Sequence, residues 1–398
     1  MTGRPLASQG SDSGPVSPRT NHADGVAPLQ PCRGALVWSI VAALLMVFVS
    51  GCAWDGTRRG EPTVVPVPRQ LGADEPSAST LSQQWQGFWA TPGEGTGTEE
   101  PAPPAGSYLD GLTVNPLYRA TSAWFFENFY RPYEDTEMAW SGDHTECDAG
   151  SSSQTLRDAV LQRVNYFRGM AGVPSNVRLS LEYSAGAQQA ALMMSVNGRL
   201  SHWPDESWSC YSVEGDEAAG NSLLLLGATA WHAVDGYVED RGAVNEFVPH
   251  RRMLLYPHTK TMGTGDIPRT ADRWAANALW VLGEMSVERP ETRDGFVAWP
   301  PPGYVPYQVI FPRWSLSYDQ ADFTDATVVM ALDGSEVPLS VLPVVDGFGE
   351  NTIVWEPEMP VGTRPEADLW YSVQVQNVQI GSRTHHFSYV VIVFDPDS

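Results

Sequence analysis

The chain is almost without lysine. Lys260 is the only one among 24 Lys and Arg residues, which face 47 Asp and Glu and leave a formal net charge of −23 over 398 residues. The scarcity of lysine reads as a bias of composition rather than as function. The shortage of positive charge excludes nucleic acid as a partner, because phosphate backbones are held by clustered Lys and Arg and no basic patch is present. Catalytic signatures are missing too: there is no Ser-His-Asp order with a nucleophile elbow, no His-Glu-x-x-His and no phosphate-binding glycine loop. Cysteine is limited to 4 residues and charged residues to 18%. Against these absences stand 15 Trp and an aromatic share of 11%, enough apolar matter for real cores, so the chain is not a disordered acidic polymer. Its length suggests two or three domains of roughly 100–200 residues.

Residues 35–50, ALVWSIVAALLMVFVS, are uncharged and nearly all apolar; they follow Arg33 and run into Gly51-Cys52. The run is short of the ~20 residues a spanning helix usually needs. A positive residue, an apolar core and then small residues is the layout of a secretory signal. The ending Val49-Ser50-Gly51-Cys52 resembles the lipobox of bacterial lipoprotein signal peptides. That resemblance implies a lipidated Cys52 as the first mature residue, and with it an extracytoplasmic, lipid-anchored place in the cell envelope. An uncleaved signal anchor with Cys52 as a bystander is the alternative. Residues 52–107 are rich in Pro, Gly, Ser, Thr and Glu, a composition that cannot bury enough surface to offset chain entropy, and they read as a disordered tether. Beyond the leader only Cys147 and Cys210 remain. In an exported body they most simply form one disulfide, whose loop closure would contribute about 4 kcal/mol in the chain-entropy model; two separate buried thiols are the other reading.

In the central region, Leu156, Val160, Val164, Phe167 and Ala171 recur at helical spacing between serine N-cap candidates and the stop at Gly172 and Pro174. A second helix is expected from about Ser180, with Leu181, Ala185, Leu192 and Val196 on its buried face and Gly198 at its end. A third is expected over 230–240, with Val234, Tyr237 and Val238 buried and Gly242 as its C′ residue. Two β-like runs follow, TMGTGDIP and ANALWVLGE. Helices before strands, without βαβ alternation, indicate an α+β fold. The charge pairs in DAVLQR and YVEDRG read as solvated faces. Trp124, Phe125, Phe126, Phe129 and Tyr130 read as the packing side of an added N-terminal helix rather than as a ligand shelf.

The order RVNYFR, AQQAALMM, GRLSH, AVDGYVED, HRRMLLYP and MGTG, over about 155–282, resembles the CAP superfamily of cysteine-rich secretory proteins, antigen 5 and pathogenesis-related proteins, also called the SCP domain. The resemblance implies an α-β-α sandwich with a cleft of two histidines and two acids that binds a divalent metal in some members. Carried onto this chain, His202 and His250 match the histidines, with Pro249 where glycine is usual before the second. Asp240 matches the acid on the third helix. Gly220, in Ala219-Gly220-Asn221, stands where the other acid belongs, and Glu217 is the candidate substitute. His202, Asp240, His250 and Glu217 are therefore the cleft candidates. His202, His250 and Asp240 could supply the three protein ligands of an open zinc site if their side chains converge. The bland reading gives each histidine a local structural part, His202 bonding its loop and His250 bracing a turn. His144, His232 and His258 read as ordinary histidines, and His385-His386 point to opposite faces of a strand.

WPPPGYVPYQVIFPRW reads as a rigid proline-rich connector packed as a hinge against the central domain, and the runs after it, separated by Gly and Asp turns, as an all-β sandwich similar to the immunoglobulin-like modules that follow SCP domains. The fold class is thus α+β, an α-β-α (CAP/SCP-like) sandwich followed by an all-β immunoglobulin-like sandwich. The plan is leader and signal peptide over 1–51, tether over 52–107, SCP-like domain over 108–288 and β module over 294–396. The function expected from the resemblance is binding of a lipid-like ligand or a protein partner at the envelope. The alternatives are a metal-dependent, peptidase-like hydrolase using the His/Asp cleft, and a structural envelope protein with a vestigial cleft.

Overall fold

Alternation of side chains along three strands divides the central region into layers. The computed structural model describes residues 116–132 and 137–398. The apolar run 35–50, Cys52 and the tether lie outside them. No helix among the described residues is long and apolar enough to cross a membrane. The elements are α1 (Arg119–Phe125, continued by a π-helical turn Phe126–Tyr130), α2 (Gln154–Met170), β1 (Arg178–Leu179), α3 (Leu181–Asn197), α4 (Val213–Asn221), β2 (Ser222–Leu226), α5 (Ala230–Glu239), α6 (Pro249–Leu254), β3 (Thr261–Ile267) and β4 (Ala276–Trp280). The sheet order is β1-β3-β4-β2, with β1 parallel to β3 and the other pairs antiparallel. Leu223, Met262 and Leu279 join one apolar cluster with α2 and α5, whereas Leu224, Ala278 and Trp280 join a second cluster with α3 and α4. Because successive residues of a strand face opposite sides, this split produces the α-β-α sandwich.

The second helix departs from the expected pattern. Its start and its stop at left-handed Gly198 are as read, with Ser180 accepting from the Tyr183 amide. Leu181, however, is 79% exposed and Ala185 is also exposed, while Ser184, Ala187, Gln188 and Ala191 are buried. The cause is backbone-on-backbone packing. A Cβ at Gly263 would lie 2.5 Å from the Ser184 nitrogen, and one at Gly265 2.2 Å from the Ala187 carbonyl carbon, so α3 lies directly on β3 through small residues. Gln188 then completes the contact by exchanging hydrogen bonds of 2.8 and 2.9 Å with the Asp266 backbone. SLLLL, unassigned by pattern, forms edge strand β2. The left-handed residue ending α5 is Asp240 (φ 58°), not Gly242. Cys147 and Cys210 form the disulfide.

Arg163 of DAVLQR is not on a solvated face. It is 2% exposed and ion-pairs with Asp235 of α5 at 2.6 Å, with Tyr130 O accepting a further bond. The partner sits on another helix, out of reach of any local reading.

The C-terminal region is a two-sheet β sandwich. Its strands are β5 (Val297–Trp299), β6 (Gly303–Pro306), β7 (Trp314–Tyr318), β8 (Ala321–Asp322), β9 (Thr327–Leu332), β10 (Ser335–Glu336), β11 (Leu339–Val341), β12 (Asn351–Pro357), β13 (Leu369–Ile380) and β14 (Arg383–Phe394). One sheet runs β10-β9-β13-β14-β6 and the other β11-β12-β7-β5. The proline-rich segment expected as a hinge therefore supplies strands to both sheets. As expected, the segment packs against the central region. Phe167 of α2 meets the buried Trp299 ring edge-on at 5.0 Å, and one apolar cluster runs from α2 and α5 into Trp299, Trp314 and Trp355. The aromatic N-terminal helix packs as expected, Phe125 stacking on Tyr166 at 5.1 Å. It also reaches the sandwich, where Ser122 donates to Tyr304 O at 2.7 Å and Arg119 to Asp395 O at 2.9 Å. Because the core is shared, denaturation should show one transition for both regions, and Phe167→Ala should destabilise both together by about 3–5 kcal/mol. Separate transitions, read by tryptophan fluorescence and far-UV circular dichroism, would contradict a shared core.

Candidate functional site

Both cleft histidines are anchored through the same ring atom. His202 follows α3 in the loop before α4 and lies half-buried. Its Nδ1 is 2.8 Å from Ala219 O near the end of α4. A carbonyl oxygen only accepts, so Nδ1 carries the proton and Nε2 keeps its lone pair for another partner. Burial lowers the basicity of His202 below the usual imidazole range; the Ala219 bond opposes this, and the charge of His250 adds to the lowering. The two imidazoles are thus within electrostatic reach of each other.

His250 is the second residue of α6, whose first is Pro249, a position where the missing amide costs no helical bond. Its Nδ1 donates to Asp240 Oδ1 at 2.6 Å, and Nε2 is again left over. Asp240 Oδ2 accepts from the amides of His250 (2.8 Å) and Arg251 (3.2 Å), so the carboxylate also caps the start of α6. With its side chain fully buried and both oxygens engaged, Asp240 orients His250 and does not act as a third open ligand. Carboxylate-to-imidazole contacts of this kind set ring orientation and tautomer.

The C-terminal sandwich takes part in this arrangement. Arg313, just before β7, donates to Asp240 O at 2.6 Å and to Asn245 O at 3.0 Å. Arg251 is buried and donates to Val238 O (2.6 Å), Arg313 O (2.8 Å) and Ser315 Oγ (3.1 Å). Desolvation lowers its guanidinium to about 10, which leaves it charged at neutral pH. His250 and Asp240 are legible in the sequence, but Arg313 is not, because its role depends on a contact 73 positions away. The doubled arginine after His250 was the only local signal, and it reads equally well as a turn brace.

Gly220 and Glu217 lie on α4. Glu217 is exposed, and among the described residues its carboxylate has no hydrogen-bond or ion-pair partner, while its backbone oxygen accepts from the Asn221 side chain. A Cβ at Gly220 would meet just the His202 carbonyl oxygen, at 3.5 Å, so the place beside His202 is open but holds no donor. Among the described residues no group of three or more His, Cys, Asp or Glu is arranged to hold a metal ion. The donor set does not fit the divalent metal that the resemblance implies: Asp240 is committed and Gly220 offers nothing.

Residues 161–279 match the model of the cysteine-rich secretory protein family, CAP. The chain carries a CAP domain. The match runs from within α2 to β4 and includes both cleft histidines and Asp240. No curated protein matches the chain. A CAP domain suggests a secreted-type role in binding a ligand or partner. Trp203, 57% exposed, follows His202 with its ring 5.8 Å from the imidazole, so an exposed indole adjoins that histidine.

Two outcomes follow from this geometry. Gly220→Glu fits the open place, and by adding a carboxylate beside His202 it should tighten zinc binding by about tenfold or more in calorimetric titration; an unchanged affinity would mean the missing acid is not what withholds the metal. The lowered basicity of His202 means that, below its usual value of 6.5, the unfolded chain holds a proton that the folded chain lacks. Stability should therefore fall as pH drops from 6.5 toward the folded-state value, and His202→Gln should flatten that slope in denaturant titrations at successive pH values.

Proposed function

We propose that the chain is an exported, membrane-anchored lipoprotein whose CAP domain binds a lipid-like ligand in the His202/His250 cleft at the outer side of a bacterial membrane. The observation that carries the ligand reading is the pair of imidazoles, each held by Nδ1 and each with Nε2 left for a partner, one of them beside the exposed Trp203 ring. Such a combination suits an amphipathic molecule, with a polar head bonded by the imidazoles and an apolar body against the indole. Hydrolysis is less well supported, because the one carboxylate at the cleft histidines is spent on orienting His250 and no activated nucleophile adjoins it among the described residues. The anchor rests on the Val49-Ser50-Gly51-Cys52 sequence and on a tether long enough to hold the folded body off the surface.

The test is made on the full chain expressed in a bacterial host. The protein should fractionate with membranes and carry extractable lipid or bind a fluorescent fatty acid. His202→Ala and Trp203→Ala should each weaken that binding by about tenfold, while Cys52→Ala should release the protein from membranes without affecting it. Fatty-acid binding that survives both cleft substitutions would remove the ligand reading. Membrane retention of the Cys52→Ala protein would remove the lipid anchor.

A further inference from the structure

The sheet face that meets α6 carries hydroxyls among its apolar side chains. Register fixes which residues share that face: Val297 pairs with Ser317 and Trp299 with Ser315 between β5 and β7, and Thr352 of β12 pairs with Ser317. Paired residues project to the same side, so Ser315, Ser317 and Thr352 stand with Val297 and Trp299, on the side where Trp299 meets Phe167. Trp314, one position from Ser315, turns the other way and meets Tyr371 of the opposite sheet at 5.8 Å. Helix α6 lays two buried guanidiniums against the hydroxyls. Arg251 donates to Ser315 Oγ at 3.1 Å and Arg252 to Glu350 O at 3.0 Å. The same Glu350 oxygen accepts from Thr352 Oγ1 at 2.9 Å, and Thr352 Oγ1 lies 2.8 Å from Ser317 Oγ. Arg251, Arg252, Trp299, Ser315, Ser317 and Glu350 bound most of a cavity with about 10 Å³ of free space, the room that one water molecule needs.

The protons on these groups decide what can occupy it. Thr352 gives its own to Glu350 O, so the bond between the two hydroxyls is donated by Ser317, whose oxygen keeps a free lone pair. Ser315 Oγ accepts from Arg251, and among the described residues its proton has no acceptor. Arg252 is 5% exposed; its terminal nitrogens are bonded to Val345 O and Glu350 O, and its buried Nε–H has no partner among the described residues. Two donors and one acceptor are therefore left over, and an unmet buried donor is costly. An anion could only accept, and it would share the cavity with the Glu350 carboxylate, which Arg289 already holds at 2.5 Å. A cation would face the two guanidiniums. A neutral molecule that both accepts and donates is complementary, and the volume limits it to a single heavy atom.

We propose that this cavity binds one long-lived water molecule, which accepts from Arg252 Nε and the Ser315 hydroxyl and donates to Ser317 Oγ. The water joins α6, the helix that carries His250, to β7 of the sandwich. The test is magnetic relaxation dispersion of water oxygen on the full chain, which counts tightly held waters, together with denaturant midpoints. Ser315→Thr keeps the hydroxyl and adds a methyl group that takes up the free space. It should lose one long-lived water relative to the unaltered chain and unfold at a lower midpoint, because Arg252 Nε is then stranded. Ser317→Thr, on the same face, should do the same. In a dry cavity the added methyl would fill a void and raise the midpoint instead. The proposal is overturned if neither variant loses a water or if either midpoint rises. It is also overturned if exchanging chloride for acetate at constant ionic strength shifts the midpoint of the unaltered chain but not of the variants, which would make the occupant an anion.

Discussion

One buried carboxylate organises the His250 end of the CAP domain. Asp240 sits in left-handed backbone at the end of α5 and uses its two oxygens on three donors, namely the His250 ring and the amides of His250 and Arg251. A carboxylate withdrawn from water costs heavily unless its lone pairs are satisfied, and here they are satisfied by the groups whose positions matter. The end of α5, the start of α6 and the orientation of His250 are thereby decided together. The same commitment removes Asp240 from the set of groups that could grip a metal.

Buried arginines extend this constraint into the rest of the molecule. Arg251 ties the Asp240 corner to β7, and Arg252 donates to Val345 O and Glu350 O of the sandwich at 2.6 and 3.0 Å. Arg168 of α2 gathers the carbonyls of Pro174, Leu254, Tyr256 and Thr259, and burial lowers it to about 9. Each guanidinium forfeits hydration and recovers it from carbonyl oxygens, so each fixes several backbone segments at once. The C-terminal sandwich is accordingly part of what positions the Asp240–His250 corner. The aromatic contact of Phe167 with Trp299 adds the apolar half of the same seam.

Much of this was legible in the amino-acid pattern, because it depends on neighbours within a few residues. The α2 stripe from Leu156 to Ala171, the Ser180 cap and Gly198 stop of α3, the long strands of the sandwich and the Cys147–Cys210 pair all follow from spacing, capping and count. The motif order around His202 and His250 was enough to indicate the CAP domain. Where local patterning failed, a distant partner had overruled it. Leu181 satisfies the apolar period of α3, but glycines at 263 and 265 let that helix sit down on its small-residue side instead. Arg163 sits in a run that reads as a solvated face until Asp235 is brought against it.

The candidate site residues were indicated by the family resemblance of the amino-acid order: two histidines, one acid, and a glycine where the second acid would stand. How those groups are used was settled by the fold, because the directions of lone pairs and protons depend on which carbonyls and amides are brought alongside. Folding assigned Nδ1 of His202 to Ala219 and Nδ1 of His250 to Asp240, and it made Arg313 a support for the loop that leads to His250. Lysine is the sharpest case. Its near-absence was a fact of composition, and only the pairing of residues 258–261 with their neighbours placed the single Lys260 opposite Glu284.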